Sequence, residues 1–269
     1  RTDPQFYAKT PEELLSRAAW LSKKAEGQLP KLFSSLYDLP FTVEPVPDAI
    51  APTYTGGRYV PGNRERNRPG IYWVNTYDLP SRTLYTLPAL TLHEAVPGHH
   101  LDMMNTANLT DVPEFRKRNY ISAYGEGWGL YAEYLGEEMG MYTTPYELFG
   151  RYTYEMWRAC RLVVDVGIHY KGWTFEQAVN YMKSYTALID EDIEKEVARY
   201  ATWPGQAVSY KIGEIEMLRF RKRAEEALGA NFDLRKFHTM ITDSGIMPLQ
   251  TLSDLTDRWN LDQKQSIKE

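Results

Sequence analysis

The segment His93-Glu94-Ala95-Val96-Pro97-Gly98-His99-His100 constrains the fold of this chain more than any other stretch. A helix carrying His-Glu-x-x-His places two imidazoles on one face, where both reach one zinc ion. The Glu beside the first His then sits where it can take a proton from the attacking water. Here the spacing is longer. His99 follows His93 at a distance that carries it about 240° around a regular helix, and His100 returns to nearly the same face but about 10 Å along the axis. Two nitrogens each bound at about 2.1 Å to one ion cannot be so far apart. A straight helix therefore fails with either histidine. Pro97 removes a backbone donor and Gly98 accepts dihedrals closed to other residues, so the pair predicts a local bulge that brings the second histidine back to the first. His99 is the expected second ligand and His100 the alternative. Chance placement of surface or core histidines at a helix end is the plainer explanation, but this short segment holds His93, His99 and His100 out of only five histidines in the chain.

Two histidines leave a tetrahedral site short of protein ligands. The stretch Tyr124-Gly125-Glu126-Gly127-Trp128-Gly129-Leu130-Tyr131-Ala132-Glu133 offers a third in Glu126, set among glycines where a facing element can approach closely. Glu133 lies two turns further on the same face, the position of a carboxylate that orients a ligand histidine. The loop before Gly70 carries Arg58, Arg64, Arg66 and Arg68 against Glu65. Those arginines either form a solvated loop or hold a substrate carboxylate in bidentate pairs, with an extended substrate added along the Gly70–Thr76 strand.

Around these residues the pattern is mostly helical. Thr10-Pro11-Glu12-Glu13 and Thr144-Pro145-Tyr146-Glu147 have the capping-box grammar with Pro at the first helical position, opening helices towards Leu29 and His169. Pro88 suits the first turn of the helix that carries His93, Thr174 and Asp190 are further expected caps, and Pro204-Gly205 opens a helix that ends at Gly229. Phe41–Pro47 and Gly70–Thr76 read as strands, joined by a Gly/Pro/Arg loop from Gly56 to Pro69. The fold expected is mainly α with a small β element, one region over residues 1–269. A chain of 269 residues, 43% of them apolar, builds its core without disulfides. Its single Cys160 falls in an apolar helical stretch as a packed, inert thiol. A net charge of −5 argues against a nucleic-acid partner, and no apolar run is long enough for a membrane span.

His93 through His100, Tyr124-Gly125-Glu126-Gly127-Trp128 and Pro204-Gly205-Gln206-Ala207 with Tyr210-Lys211 together resemble the bacterial "domain of unknown function 885" family, over about Pro11 to Trp259. Its members are regarded as predicted zinc metallopeptidases, distantly similar to gluzincins. The resemblance implies a zincin-like helical catalytic region holding Zn²⁺ through His93, His99 and Glu126, with Glu94 as general base and a peptide as substrate. Asp102 stands where the family often has Gln. Members are about twice this length, so the chain reads as a C-terminal half whose partner is the N-terminal half of the same protein. Export is common among them, which favours an extracytoplasmic location. By analogy with tyrosines late in gluzincin chains, Tyr210 is the expected donor to the oxyanion. His169, with Asp165 one turn earlier to orient it, is the second candidate, and Arg199 is a further residue able to enter the site. The alternatives are hydrolysis of a non-peptide amide at the same metal, or a non-catalytic helical binding module or fragment.

Overall fold

In the computed structural model, which describes residues 3–110 and 112–267, chain punctuation sets most helix ends. Thr10 accepts a hydrogen bond from the Glu13 amide (3.2 Å) and opens α1, Pro11–Glu26. Leu87–Glu94 is α2, with Pro88 in its first turn. His99–Ala107 is α3, Glu114–Arg118 is α4 and Ser122–Glu138 is α5. Thr144 and Glu147 exchange the reciprocal bonds of a capping box at the start of α6, Pro145–Lys171, and Thr174 and Gln177 do the same for α7, Phe175–Tyr185. Asp190, expected as a cap, is instead the first residue of α8, Asp190–Thr202, and pairs with Lys183 at 2.9 Å. Gly205 and Gly229 bracket α9, Gln206–Leu228. Leu234–Asp243 and Leu249–Ser266 complete the chain as α10 and α11.

The β element is a three-stranded sheet of β1 (Phe41–Pro45), β2 (Gly57–Val60) and β3 (Gly70–Val74) in the order β1-β3-β2. β1 runs parallel to β3, and β2 antiparallel. Gly70, Tyr72 and Val74 of β3 are buried and the residues between them less so, the period-two pattern of a strand with one face on the core. Two expectations change here. β2 lies inside the segment read as loop, its four residues hidden between Gly56 and Pro61-Gly62. Since β3 is the central strand, both its edges are occupied and no substrate strand can add along it.

Most buried apolar residues form one cluster in which α1, the sheet, α2, α3, α5, α9, α10 and α11 take part. A second gathers Cys160 and Val164 of α6 with Val179, Met182, Ile193, Val197 and Tyr200 from α7 and α8. Burial pushes the Cys160 thiol up, in keeping with an inert side chain. Helices α5 and α9 cross where Gly127 meets Gly213: a Cβ on Gly127 would lie 2.4 Å from the Gly213 Cα, and one on Gly213 would lie 2.0 Å from the Ala123 carbonyl oxygen. That close crossing fixes α9 against the helix bearing Glu126. Among the described residues no helix is long and apolar enough to cross a membrane.

One buried histidine makes the core sensitive to acid. His238 of α10 faces the Leu32 carbonyl through Nδ1 (2.9 Å) and the Tyr131 hydroxyl through Nε2 (2.8 Å). A carbonyl only accepts, so Nδ1 carries the proton and Nε2 accepts from Tyr131. Burial, with Arg221 adding to it, lowers the pKa to about 3. Below an unfolded value near 6.5 the unfolded chain takes up a proton that the folded chain refuses, so stability falls with pH through that window. Urea unfolding at pH 7 and pH 5 should show a loss on the order of 2 kcal/mol from this group. It should be absent in His238→Gln; equal pH dependence in the two proteins would contradict the assignment.

Candidate metal centre

The backbone between the two histidines is broken rather than bulged. α2 stops at Glu94, the Val96–Pro97 peptide is cis, and α3 starts afresh at His99. Wide backbone bonds close the turn, from the Gly98 amide to the Leu92 carbonyl (3.0 Å) and from the His100 amide to the Ala95 carbonyl (3.1 Å). Trp128 of α5 donates its indole N–H to the Pro97 carbonyl at 2.9 Å. Only glycine fits at 98, because a Cβ there would sit 1.9 Å from the His93 carbonyl oxygen. The sequence signal for an interruption was sound, and the form it takes is a restart in a new direction.

That restart turns His99 towards His93. The rings meet edge to face with centroids 4.8 Å apart. Each Nε2 lies 3.4 Å from the same oxygen, Oε2 of Glu126. The three donor atoms are mutually within 4.8 Å, and His93 and His99 are only 2% and 6% exposed. Ligands about 2.1 Å from a tetrahedral ion stand about 3.4 Å from one another, so the two Glu126 spacings match those of ligands around one ion and are long for good hydrogen bonds. The His93 ring rests on Gly129 of α5, where a Cβ would come 2.6 Å from Cε1. Its Nδ1 donates to Glu133 Oε1 at 2.8 Å, which leaves the Nε2 lone pair free to bind. Nitrogen, nitrogen and carboxylate oxygen are a zinc donor set, and the residues fit that ion.

Electrostatics point the same way. Burial alone would lower His93, but the Glu126 carboxylate beside it and the hydrogen-bonded Glu133 outweigh it and lift the pKa to about 9. Burial would raise Glu126, yet His93 and His99 hold its carboxyl well below the usual range. The spot favours positive charge. Tyr120, which carries no sequence signal, donates its hydroxyl to the other Glu126 oxygen at 2.9 Å. His100 is excluded as a ligand because both ring nitrogens are engaged, Nε2 with the Leu39 carbonyl (2.8 Å) and Nδ1 with the Tyr59 hydroxyl (2.9 Å). Burial lowers its pKa to about 4.

Glu94 is buried at the end of α2 on the wall of a cleft of about 1780 Å³, whose lining includes His93, His99, Glu126 and Tyr210. The Tyr59 amide of β2 donates to its Oε2 at 2.7 Å and fixes the carboxylate. Tyr210 stacks on His93 with centroids 6.1 Å apart and accepts from Gln206 at 3.1 Å. Burial pushes its hydroxyl up. His169 does not join them. It lies about three turns beyond Arg158 on α6, roughly 16 Å along the axis. Its Nε2 donates to the Tyr200 carbonyl at 2.9 Å, while Asp165 accepts from the Gly205 amide at the start of α9 instead of orienting His169. Of the loop arginines, Arg58 sits on β2 and lines the cleft, and Arg64 is paired with Asp38. Arg199 does reach the cleft, as do Arg158 and Arg161 of α6, which carry no sequence signal of their own.

The sequence profile of the family described as "Bacterial protein of unknown function (DUF885)" matches residues 1–255. The chain belongs to this family. No curated protein matches it. Two solved structures are similar to this DUF885 chain. A "putative lipoprotein" of Colwellia psychrerythraea shares 35% identity with a TM-score of 0.94, covering 97% of this chain and 46% of its own. A "putative lipoprotein of unknown function" of Shewanella oneidensis shares 23% identity with a TM-score of 0.78, covering 93% and 46%, and shows the fold alone. The chain thus spans less than half the length of either neighbour.

Proposed function

We propose that this protein hydrolyses peptide bonds, with a zinc ion held by His93, His99 and Glu126 and with Glu94 as general base. One observation carries the reading: two imidazole nitrogens equidistant from one carboxylate oxygen, with a backbone-anchored glutamate at the end of the same helix. The ion, when bound, polarises the scissile carbonyl and acidifies the attacking water. The chain supplies the rest. Glu94 takes the proton of that water and passes it to the leaving amine nitrogen, and the Tyr59 amide keeps its carboxylate aimed while it does so. Tyr210, a phenol that stays protonated at neutral pH, donates to the oxygen on which charge develops. Glu133 holds the His93 ring in the tautomer that presents Nε2. The cleft exceeds the usual small-ligand range and suits several residues of extended chain. The lipoprotein name of the 35% identical Colwellia neighbour supports an extracytoplasmic setting.

A library of internally quenched peptides tests this. Cleavage is expected with zinc-loaded protein, lost on chelation and restored by added zinc. A zinc-loaded protein that cleaves no member, or cleavage indifferent to chelation, would overturn the reading.

A further inference from the structure

The cleft wall built by α6, α8 and α9 holds more cationic charge than it neutralises. Arg161 Nη2 and Arg199 Nη2 each lie 2.9 Å from the same oxygen, Oε2 of Glu196. Arg158 Nη2 lies 3.1 Å from Glu133 Oε1, an oxygen already taken by His93. Three guanidinium groups therefore share two carboxylates, and one of these, Glu133, also accepts from His93. Among the described residues, Nη1 of Arg161 and both Nε and Nη1 of Arg158 have no hydrogen-bond partner, although these side chains are only 3% and 5% exposed. Buried charged donors left unmatched are costly, and such groups are normally satisfied.

Aromatic faces hold Arg158 and Arg161 in place while those donors stay unmatched; Arg161 Nε donates to the Tyr200 hydroxyl at 2.8 Å, and Arg199 donates to Glu196 and Gln206. The Arg161 Cζ lies 4.2 Å from the Trp157 ring centroid and 4.4 Å from that of Tyr210. Arg158 lies 4.6 Å from both Trp157 and Tyr154. Arg199, with 30% side-chain exposure, stands at the open side. The Tyr210 ring is a common neighbour of Arg161 and of the His93 ring, which is 6.1 Å away. Those two spans laid end to end bound the distance from guanidinium to metal ligand, and extended peptide covers it within about three residues at roughly 3.3–3.6 Å each.

Resting on the peptidase reading, we infer that Arg158, Arg161 and Arg199 form a carboxylate subsite that binds the free C-terminus of a peptide, so that cleavage removes one to three residues from the carboxyl end. Planar guanidinium forks match a carboxylate in a bidentate manner, and the pre-stacked rings reduce the ordering cost. An acidic side chain has the same chemistry, and the probes separate the two sources.

Binding to zinc-free protein is read by calorimetry with three probes: N-acetyl-trialanine as the free acid, the same peptide as its amide, and N-acetyl-Ala-Glu-Ala amide. The acid is expected to bind at least tenfold tighter than either amide, and Arg161→Gln to abolish the preference. Arg199→Gln, at the more exposed position, should reduce it in the same direction should the first variant misfold. Equal binding of acid and plain amide overturns the proposal whether or not the protein turns over. Tight binding of the Glu-containing amide overturns the assignment to the chain end. Acid preference together with no cleavage by zinc-loaded protein would leave the subsite standing and remove the peptidase reading instead. Where cleavage occurs, products should be short C-terminal fragments; internal cuts that ignore amidation contradict the inference.

Discussion

Glu94→Gln is expected to lower kcat for peptide hydrolysis by about 10²–10⁴-fold while leaving zinc content unchanged. The substitution keeps an oxygen for the Tyr59 amide to donate to, so the β2 contact and the end of α2 survive. What it removes is the ability to accept the water proton. The decisive reading is kcat and metal content on the same preparation. An active variant would make Glu94 a mere anchor for β2, and a zinc-depleted variant would mean that it binds the ion. Either result contradicts its role as base.

The second large effect is expected at Glu133. Its Oε1 accepts from His93 Nδ1 and pairs with Arg158, so one buried oxygen aligns the His93 ring and neutralises a buried cation. Glu133→Gln leaves Arg158 without its carboxylate and weakens the hold on the His93 ring. Zinc affinity should fall about 10–100-fold, and stability should drop by about 3–5 kcal/mol. Competition with a chromophoric chelator gives the first quantity and urea unfolding of zinc-free protein the second. Unchanged affinity would remove Glu133 from the site, even were stability reduced.

What the sequence disclosed about the site was local and chemical. The misfit between histidine spacing and helical period called for an interruption at Pro97-Gly98, and the structure has one. The glycines around Glu126 promised close approach. Gly127 admits Gly213 of α9 and Gly129 admits the His93 ring. Helix starts with side-chain caps were readable because their signal lies within four residues. What stayed hidden depends on residues distant in the chain. Nothing in α6 reveals that α8 and α9 cover it, so Arg158 and Arg161 resemble solvated charges until Glu133 and Glu196 arrive. The same blindness made Asp165 and His169 look like a pair, when one is claimed by the Gly205 amide and the other by the Tyr200 carbonyl. β2 is not legible in the sequence because four residues between glycines carry too little periodicity, and its pairing partner lies beyond the turn. His100 could be set aside only once Leu39 and Tyr59 were seen to occupy both its nitrogens.

The central claim is that His93, His99 and Glu126 hold one zinc ion, and elemental analysis of purified protein tests it most directly. The native chain and His100→Gln should each carry about one zinc, and His99→Ala none, with circular dichroism confirming that both variants are folded. Zinc that follows His100 instead of His99, or a native chain that takes up no zinc even when it is supplied, would contradict the account.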